Sequence, residues 1–369
     1  MTRRAIAAAR RRSSSAPGRF LSDPGPGNFY PGIRAVRSTV ATHEAKLGAP
    51  LAMERIYSTN DTPPWSAADT TRSAGRIPWI SWLEGSRSMS SIASGAQDAW
   101  IDSIAAGFAA RAPWPIYWTF HHEPENDGST SGANAVHYRN AQRRIKQRLR
   151  SAGVTNDVFC AVCYMTPYTW NFTNSGGRDW RTWYPDWKNV TGVGNWDAPD
   201  PNDFYVAGDP DSVVDCIGLD AYHGWDMAGN PPAKMTKWDD VTGTSVVARV
   251  SSRSDFLGKP WAIGEWATAA AQDGLIYDPD LNGTYTLTEY NAQVSAGTIH
   301  FYPDQTTAWI DDYMESYRQR TVAFCWFDSA LVPSTVVANN PLSVCDPAET
   351  RWAALAPWHQ GPHAKLWTP

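Results

Sequence analysis

The chain has 369 residues, 42% of them hydrophobic and 19% charged, with a formal net charge of −5. This is the composition of a soluble globular protein, and no apolar run reaches the roughly 18 residues needed to span a bilayer, so membrane insertion is not expected. Basic residues gather in the first dozen positions and in one helix-like stretch, which leaves no basic face for nucleic acid.

The chain opens MTRRAIAAARRRSSSAPG. Only Ala5-Ile6-Ala7-Ala8-Ala9 interrupts the arginines, which falls short of the apolar stretch of about 7 to 15 residues in a secretory signal. Residues 1–16 are therefore expected to form a disordered basic tail, and residues 17–369 a single domain. A chain of this design that acts on an extracellular polymer needs another route: a different export path, release by lysis, or carriage on a virus particle.

Beyond the tail, a Pro/Gly-rich segment from Ala16 to Gly32 reads as an entry loop. Short apolar β-prone runs then alternate with amphipathic helical stretches, the pattern of parallel βαβ units. The predicted strands are Asn28 to Gly32, Leu51 to Ser58, Arg76 to Leu83, Pro115 to His122, Val158 to Met165, Val214 to Tyr222, Lys259 to Ala267 and Thr321 to Asp328. Eight such units predict an α/β fold, a single (β/α)8 barrel with long loops at the C-terminal face of its strands. The first strand is short and holds Pro31, so a seven-strand doubly wound sheet is the alternative.

Between the strands, Trp100, Ile101, Ile104 and Phe108 mark one helical face, and Tyr138, Ala141, Ile145 and Leu149 a second. Trp309, Ile310, Tyr313, Met314 and Tyr317 mark a third. The basic run RNAQRRIKQRLR alternates with the second stripe and reads as a solvated outer face. The longest connections follow the fifth and seventh strands, from Thr166 to about Val213 and from Thr268 to about Gln305. The first of these carries Trp170, Trp180, Trp183, Trp187 and Trp196, which read either as a sugar-binding wall or as a self-packed Ω-like loop. With 20 Trp and 15 Tyr in the chain, aromatic faces are in surplus, although the core takes many of them.

Cys160, Cys163, Cys216 and Cys325 fall in strand-like runs and are expected to be mostly buried free thiols. Cys160 and Cys163 form a C-x-x-C, but residues three apart on a strand face opposite sides, which argues against a metal clip or redox pair. The neighbours His121 and His122 are likewise expected to diverge, so no metal and no other cofactor is implied.

Two segments place ionisable groups at strand exits. In PIYWTFHHEPEND an apolar run ends abruptly in His121, His122 and Glu123, and in KPWAIGEWA Glu265 sits inside an otherwise apolar run. A buried carboxylate is costly unless it is hydrogen-bonded or does chemistry. Glycoside cleavage needs such a pair, one carboxyl to protonate the leaving oxygen and one carboxylate to attack the anomeric carbon. Glu125 competes with Glu123 for the acid role, with Pro124 between them. His121, Asp220, His223, Trp82, Tyr57 and Asp328 also stand at strand ends, where packing or hydrogen bonding accounts for any one of them alone.

His122-Glu123 at the end of the fourth strand resembles the His-Glu signature of glycoside hydrolase family 26, within the large clan A of barrel glycosidases. NFYPG is similar to that family's first strand, LAMERIY to its second and IGLDAY to its sixth. The resemblance implies Glu123 as acid/base and Glu265, ending the seventh strand, as nucleophile. It implies Tyr222 as the tyrosine that hydrogen-bonds the nucleophile and Trp326 as the aromatic under the sugar at the cleavage point. His122, Trp82 and Asp220 complete the candidate substrate-binding set. Family mannanases usually carry Arg-Pro ahead of the His-Glu, where this chain has Thr119-Phe120, so the sugar stays open among β-linked glycans. The resulting expectation is a retaining endo-glycoside hydrolase, β-mannanase-like, that acts outside the cell on a polysaccharide. The alternative is a non-catalytic glycan-binding or adhesion protein on the same scaffold, such as a phage tail component.

Overall fold

The computed structural model describes residues 20, 22–34, 40–124, 132–165, 183–188, 201–223, 257–268, 275–278, 283–286, 318–327 and 356–368. Eight parallel strands close into a barrel. In chain order its staves are β1 (Tyr30–Arg34), β2 (Met53–Tyr57), β3 (Ile77–Trp82), β4 (Ile116–Phe120), β5 (Asp157–Met165), β6 (Cys216–His223), β7 (Trp261–Thr268) and, after a two-stranded hairpin of β8 (Leu275–Asp278) and β9 (Gly283–Thr286), β10 (Thr321–Phe327). Consecutive staves are neighbours around the ring, and β10 closes it by pairing with β1. Closure rules out the doubly wound alternative.

The first stave lies two residues later than the sequence suggests. Pro31 has no N–H to give, but its carbonyl accepts from Ala52 at 2.8 Å, and the β1–β2 ladder begins only at Gly32. Gly32 is required there, since a Cβ would lie 2.5 Å from Cys325 Sγ and 3.1 Å from Met53 Cβ across the narrow interior. The β8–β9 hairpin falls within the long connection after β7, where periodicity alone gave a loop.

Five described helices flank the ring: α1 (Val40–Leu47), α2 (Trp65–Ser73), α3 (Met89–Ala93), α4 (Asp98–Ala109) and α5 (Gly132–Ser151). Two of the predicted apolar stripes are found as read. Ile101, Ile104 and Phe108 of α4 and Tyr138, Ala141, Ile145 and Leu149 of α5 are all buried against the outer surface of the sheet. The third stripe, at 309–317, lies outside the described residues, as does the tail 1–16. No described helix is long and apolar enough to cross a membrane.

The basic run on α5 is only in part a solvated face: Arg150 is exposed and Arg148 and Arg144 are partly so, but two of its cations are buried. Lys146 is buried between Asp157 (2.6 Å) and Asp215 (2.7 Å); burial alone would depress its ammonium, but the two carboxylates outweigh that and hold its pKa up. Arg139 is buried with its guanidinium 4.8 Å over the Trp187 ring, Arg143 meets Asp186 at 3.0 Å, and Arg144 meets Asp98 at 2.6 Å. These cations tie the helix to its neighbours on several sides.

Inside the barrel, side chains alternate along each strand, and their character changes from one end to the other. Near the N-terminal ends the lining is apolar: Met53, Ile77, Trp79, Tyr117, Val158, Cys160, Cys216, Ala262, Ala323 and Cys325. Cys160, Cys216 and Cys325 are free thiols in this layer, and burial pushes that of Cys325 up to about 12. The side chain of Cys163 lies outside the described residues. Toward the C-terminal ends the buried lining turns polar, with Arg55, Ser81, Thr119, Asp220 and Glu265.

The C-terminal segment is docked beside β1. Phe29 N–H donates to the His363 carbonyl at 3.0 Å, Lys365 N–H donates to the Phe29 carbonyl at 3.0 Å, and Gln360 Nε2 donates to the Leu47 carbonyl at 2.7 Å. His359 is buried in this junction, and its Nδ1 finds no hydrogen-bond partner among the described residues. Burial depresses its imidazole from 6.5 to about 4. Above pH 6.5 the ring is neutral whether the chain is folded or not; below it, only the unfolded chain takes the proton. Stability is therefore expected to fall as pH drops from 6.5 to about 4, by about 3 kcal/mol in all for this group. His359→Leu should flatten that part of a pH profile of unfolding free energy, and an unchanged slope would contradict the assignment.

Candidate active site

Strand β2 shows why the polar end of the barrel forms. In MERIY, Met53, Arg55 and Tyr57 share the inward parity, while Glu54 points outward to accept from Thr71 Oγ1 of α2 at 2.8 Å. An arginine that faces the inside of a closed barrel must find an anion. Arg55 finds Asp220 of β6: Nη1 meets Oδ1, Nη2 meets Oδ2 at 3.2 Å, and both side chains are fully buried. The guanidinium also stacks over the rings of Tyr57 (4.8 Å) and Trp79 (4.9 Å). Gly264 of β7 makes room for it, because a Cβ there would lie 2.7 Å from Arg55 Cζ and 2.8 Å from Asp220 Oδ1.

Glu265 is the next residue of β7 and the register partner of Asp220. It is 7% exposed. One carboxylate oxygen accepts the Tyr57 hydroxyl and lies 4.0 Å from Arg55 Nη1. Arg55 thus serves two carboxylates, with Asp220 as its direct partner and Glu265 at the edge of its reach. Tyr57 in turn packs against the ring of His122, the centroids 5.0 Å apart.

Glu123 reaches the same place from β4. Carboxylate oxygens of Glu123, Asp220 and Glu265 all lie within 4.8 Å of one another. Such a cluster could in principle hold a cation, but Asp220 is already engaged by the Arg55 guanidinium. A metal ion would have to displace that contact and sit beside a fixed positive charge, so the donor set does not suit one. His121 and His122 diverge, the first to Glu84 (Nδ1···Oε2, 2.7 Å) and the second to Tyr57.

The candidate residues thus separate into two groups. Glu123, Glu265, His122 and Asp220 are brought together, although Asp220 is fully buried and bound to Arg55, which makes it a support for the site and not a sugar contact. Trp82 and Trp326 are not brought there. On β3, Ile77 and Trp79 point inward, so alternation turns Trp82 outward, where it is fully buried against Trp118 and Phe120. Trp326 is 1% exposed and, like its register partner Ile33, belongs to the apolar layer outside the ring. Tyr222 and His223 end β6, but their side chains lie outside the described residues, as do Glu125 and Asp328.

Trp183 and Trp187, for which a sugar-binding wall and a self-packed loop were the two readings, are buried against α5, Trp183 edge-on to Tyr138 at 5.4 Å, as packing residues are. Trp170, Trp180 and Trp196 lie outside the described residues. Two residues of the site were not selected as functional from the sequence. Arg55 carried a signal in its inward parity within LAMERIY, which demands an acid across the barrel. Tyr57, at the same parity, donates its hydroxyl to Glu265; the tyrosine that the family resemblance places on the nucleophile, Tyr222, has its side chain outside the described residues.

No family model matches the sequence, and no curated protein matches it. Solved structures do. A ruminal GH26 endo-β-1,4-mannanase aligns over 92% of this chain at 10% identity and a TM-score of 0.50, and this chain spans 65% of that protein's length. The catalytic domain of the GH26 endo-β-1,4-mannanase from Bacillus sp. JAMB-750 aligns over 92% of this chain and 87% of its own, at 12% identity and a TM-score of 0.51. An engineered protein aligns over 92% of this chain and 71% of its own, at 13% identity and a TM-score of 0.52. At such identities the likeness shows the fold: this chain has the eight-stranded parallel barrel found in GH26 mannanases.

Proposed function

We propose that this protein is a retaining endo-glycoside hydrolase of a β-linked polysaccharide, mannan-like or a cell-wall glycan. The observation that carries the reading is the spacing of the two glutamates, Glu123 just past β4 and Glu265 within β7, whose carboxylate oxygens approach within 4.8 Å. Retaining glycosidases hold their carboxyls about 5–5.5 Å apart, and inverting ones about 6.5–9.5 Å apart to admit a water. The endo mode and the mannan-like class are suggested by the likeness in fold to the two GH26 endo-β-1,4-mannanases.

In the first step Glu265 attacks the anomeric carbon, and a C–O bond to its carboxylate forms as the glycosidic C–O bond breaks. The bonding pair leaves with the glycosidic oxygen, which takes the proton of Glu123. In the second step Glu123, now ionised, removes a proton from water, whose oxygen displaces Glu265 and frees the sugar with its original β configuration. Tyr57, through its hydroxyl, and Arg55, 4.0 Å away, hold the attacking carboxylate in one rotamer. The test is release of reducing ends from a panel of mannans, glucans, xylans and actinobacterial wall polymers. Release from at least one is expected; binding without release from any would favour a glycan-binding protein on the same barrel.

A further inference from the structure

The acid/base Glu123 does not continue the β4 strand; it stands on a turn of unusual backbone geometry. His121 has φ of 52° and Glu123 φ of 50°, both in the left-handed region that disfavours any residue with a Cβ. Two such residues within three positions cost on the order of 1–3 kcal/mol each and persist only where the surroundings over-determine them. The surroundings here can be named. His121 N–H donates to the Trp82 carbonyl at 2.9 Å, Tyr138 Oη donates to the His121 carbonyl at 3.0 Å, and Gln142 Nε2 donates to the Phe120 carbonyl at 2.6 Å. These contacts fix the backbone that enters the turn. The imidazole itself is held by Glu84, which follows β3, through Nδ1···Oε2 at 2.7 Å.

Glu84 and His121 are both part-buried, 22% and 13% exposed at the side chain. With Pro124 they line a cavity of about 230 Å³ whose walls include neither Glu123 nor Glu265. The dyad therefore braces the turn from a space other than the carboxylate cluster. Neither side chain takes part in bond making or proton transfer in the two-step hydrolysis.

We infer that Glu84 is a positioning residue: by gripping His121 it holds the left-handed turn that aims Glu123 at the glycosidic oxygen. The inference rests on the hydrolase reading and assigns to the Glu84–His121 pair the aim of the acid, not the attack of the nucleophile. It follows that loosening the pair should harm only reactions that need a proton delivered to the leaving group.

The experiment uses the full chain and two aryl β-glycosides of the disaccharide that the wild type releases, one with phenol and one with 2,4-dinitrophenol as leaving group. Dinitrophenolate departs without protonation, so kcat/KM for that substrate reports glycosylation without acid assistance. Glu84→Ala is expected to lower kcat/KM for the phenyl glycoside about 100-fold and to change that for the dinitrophenyl glycoside by no more than about threefold. Glu84→Gln, which keeps an acceptor for the imidazole N–H, should restore most of the phenyl activity. Tyr138→Phe, which removes only the hydroxyl on the His121 carbonyl, should give the same selective loss in smaller measure and covers the case in which Glu84→Ala does not fold. Equal losses on both substrates, or no loss on either, would overturn the inference. A wild type inactive on every glycan would instead overturn the hydrolase reading, and that result precedes any substitution.

Discussion

Glu265→Gln is expected to fold as the wild type does and to lose turnover by on the order of 10⁴-fold or more. The amide keeps the shape of the side chain and can still accept the Tyr57 hydroxyl, so the packing around β7 is preserved. What it loses is the anionic oxygen that forms the glycosyl ester, and the barrel offers no ready substitute. Asp220 is the register partner on β6, but it is fully buried and clamped by Arg55. Initial rates together with a thermal unfolding curve check both halves of the expectation. Near-normal turnover in a folded Glu265→Gln protein would remove the nucleophile from the account.

The second large effect concerns stability. Arg55→Met takes the guanidinium from the buried Asp220 carboxylate, and breaking a buried pair from one side costs about 3–5 kcal/mol. Denaturant unfolding should register this as a lower midpoint. The paired replacement Arg55→Met with Asp220→Leu removes both charges, and buried pairs exchanged for apolar groups of similar volume often recover the loss. Stability should therefore return in the double variant. Activity should not, because Glu265 has lost the guanidinium 4.0 Å away and Tyr57 one of the two arginines over its ring, Arg34 remaining at 5.0 Å. An Arg55→Met protein as stable as the wild type would contradict the pairing.

The order of the staves was legible because period-two apolar runs separated by helical stripes have few other solutions. The polar exits were legible too: Glu123 and Glu265 interrupt apolar runs, and the fold brings both to one end of the barrel. Facing was harder to read. Trp82 looks like a sugar platform at a strand end, yet counting from Trp79 turns it toward the helices, and one residue of parity decides between substrate contact and core. Trp326 went the same way. The basic stretch of α5 was in part misleading because charge alone suggests solvent, whereas Lys146 and Arg139 meet partners that arrive from β5, the residue before β6 and the segment around Trp187. Arg55 and its acid are 165 residues apart, so no local window joins them; only the closed ring does. The left-handed turn at His121 and Glu123 carries no glycine or asparagine to announce it, since tertiary contacts impose it against local preference.

The retaining assignment rests on two carboxyls close enough to act from opposite faces of one sugar. Proton NMR of the first anomer released by the wild type, recorded before mutarotation, tests it directly. Double displacement through Glu265 yields the β anomer at the new reducing end; the α anomer would mean single displacement through water and no glycosyl-enzyme.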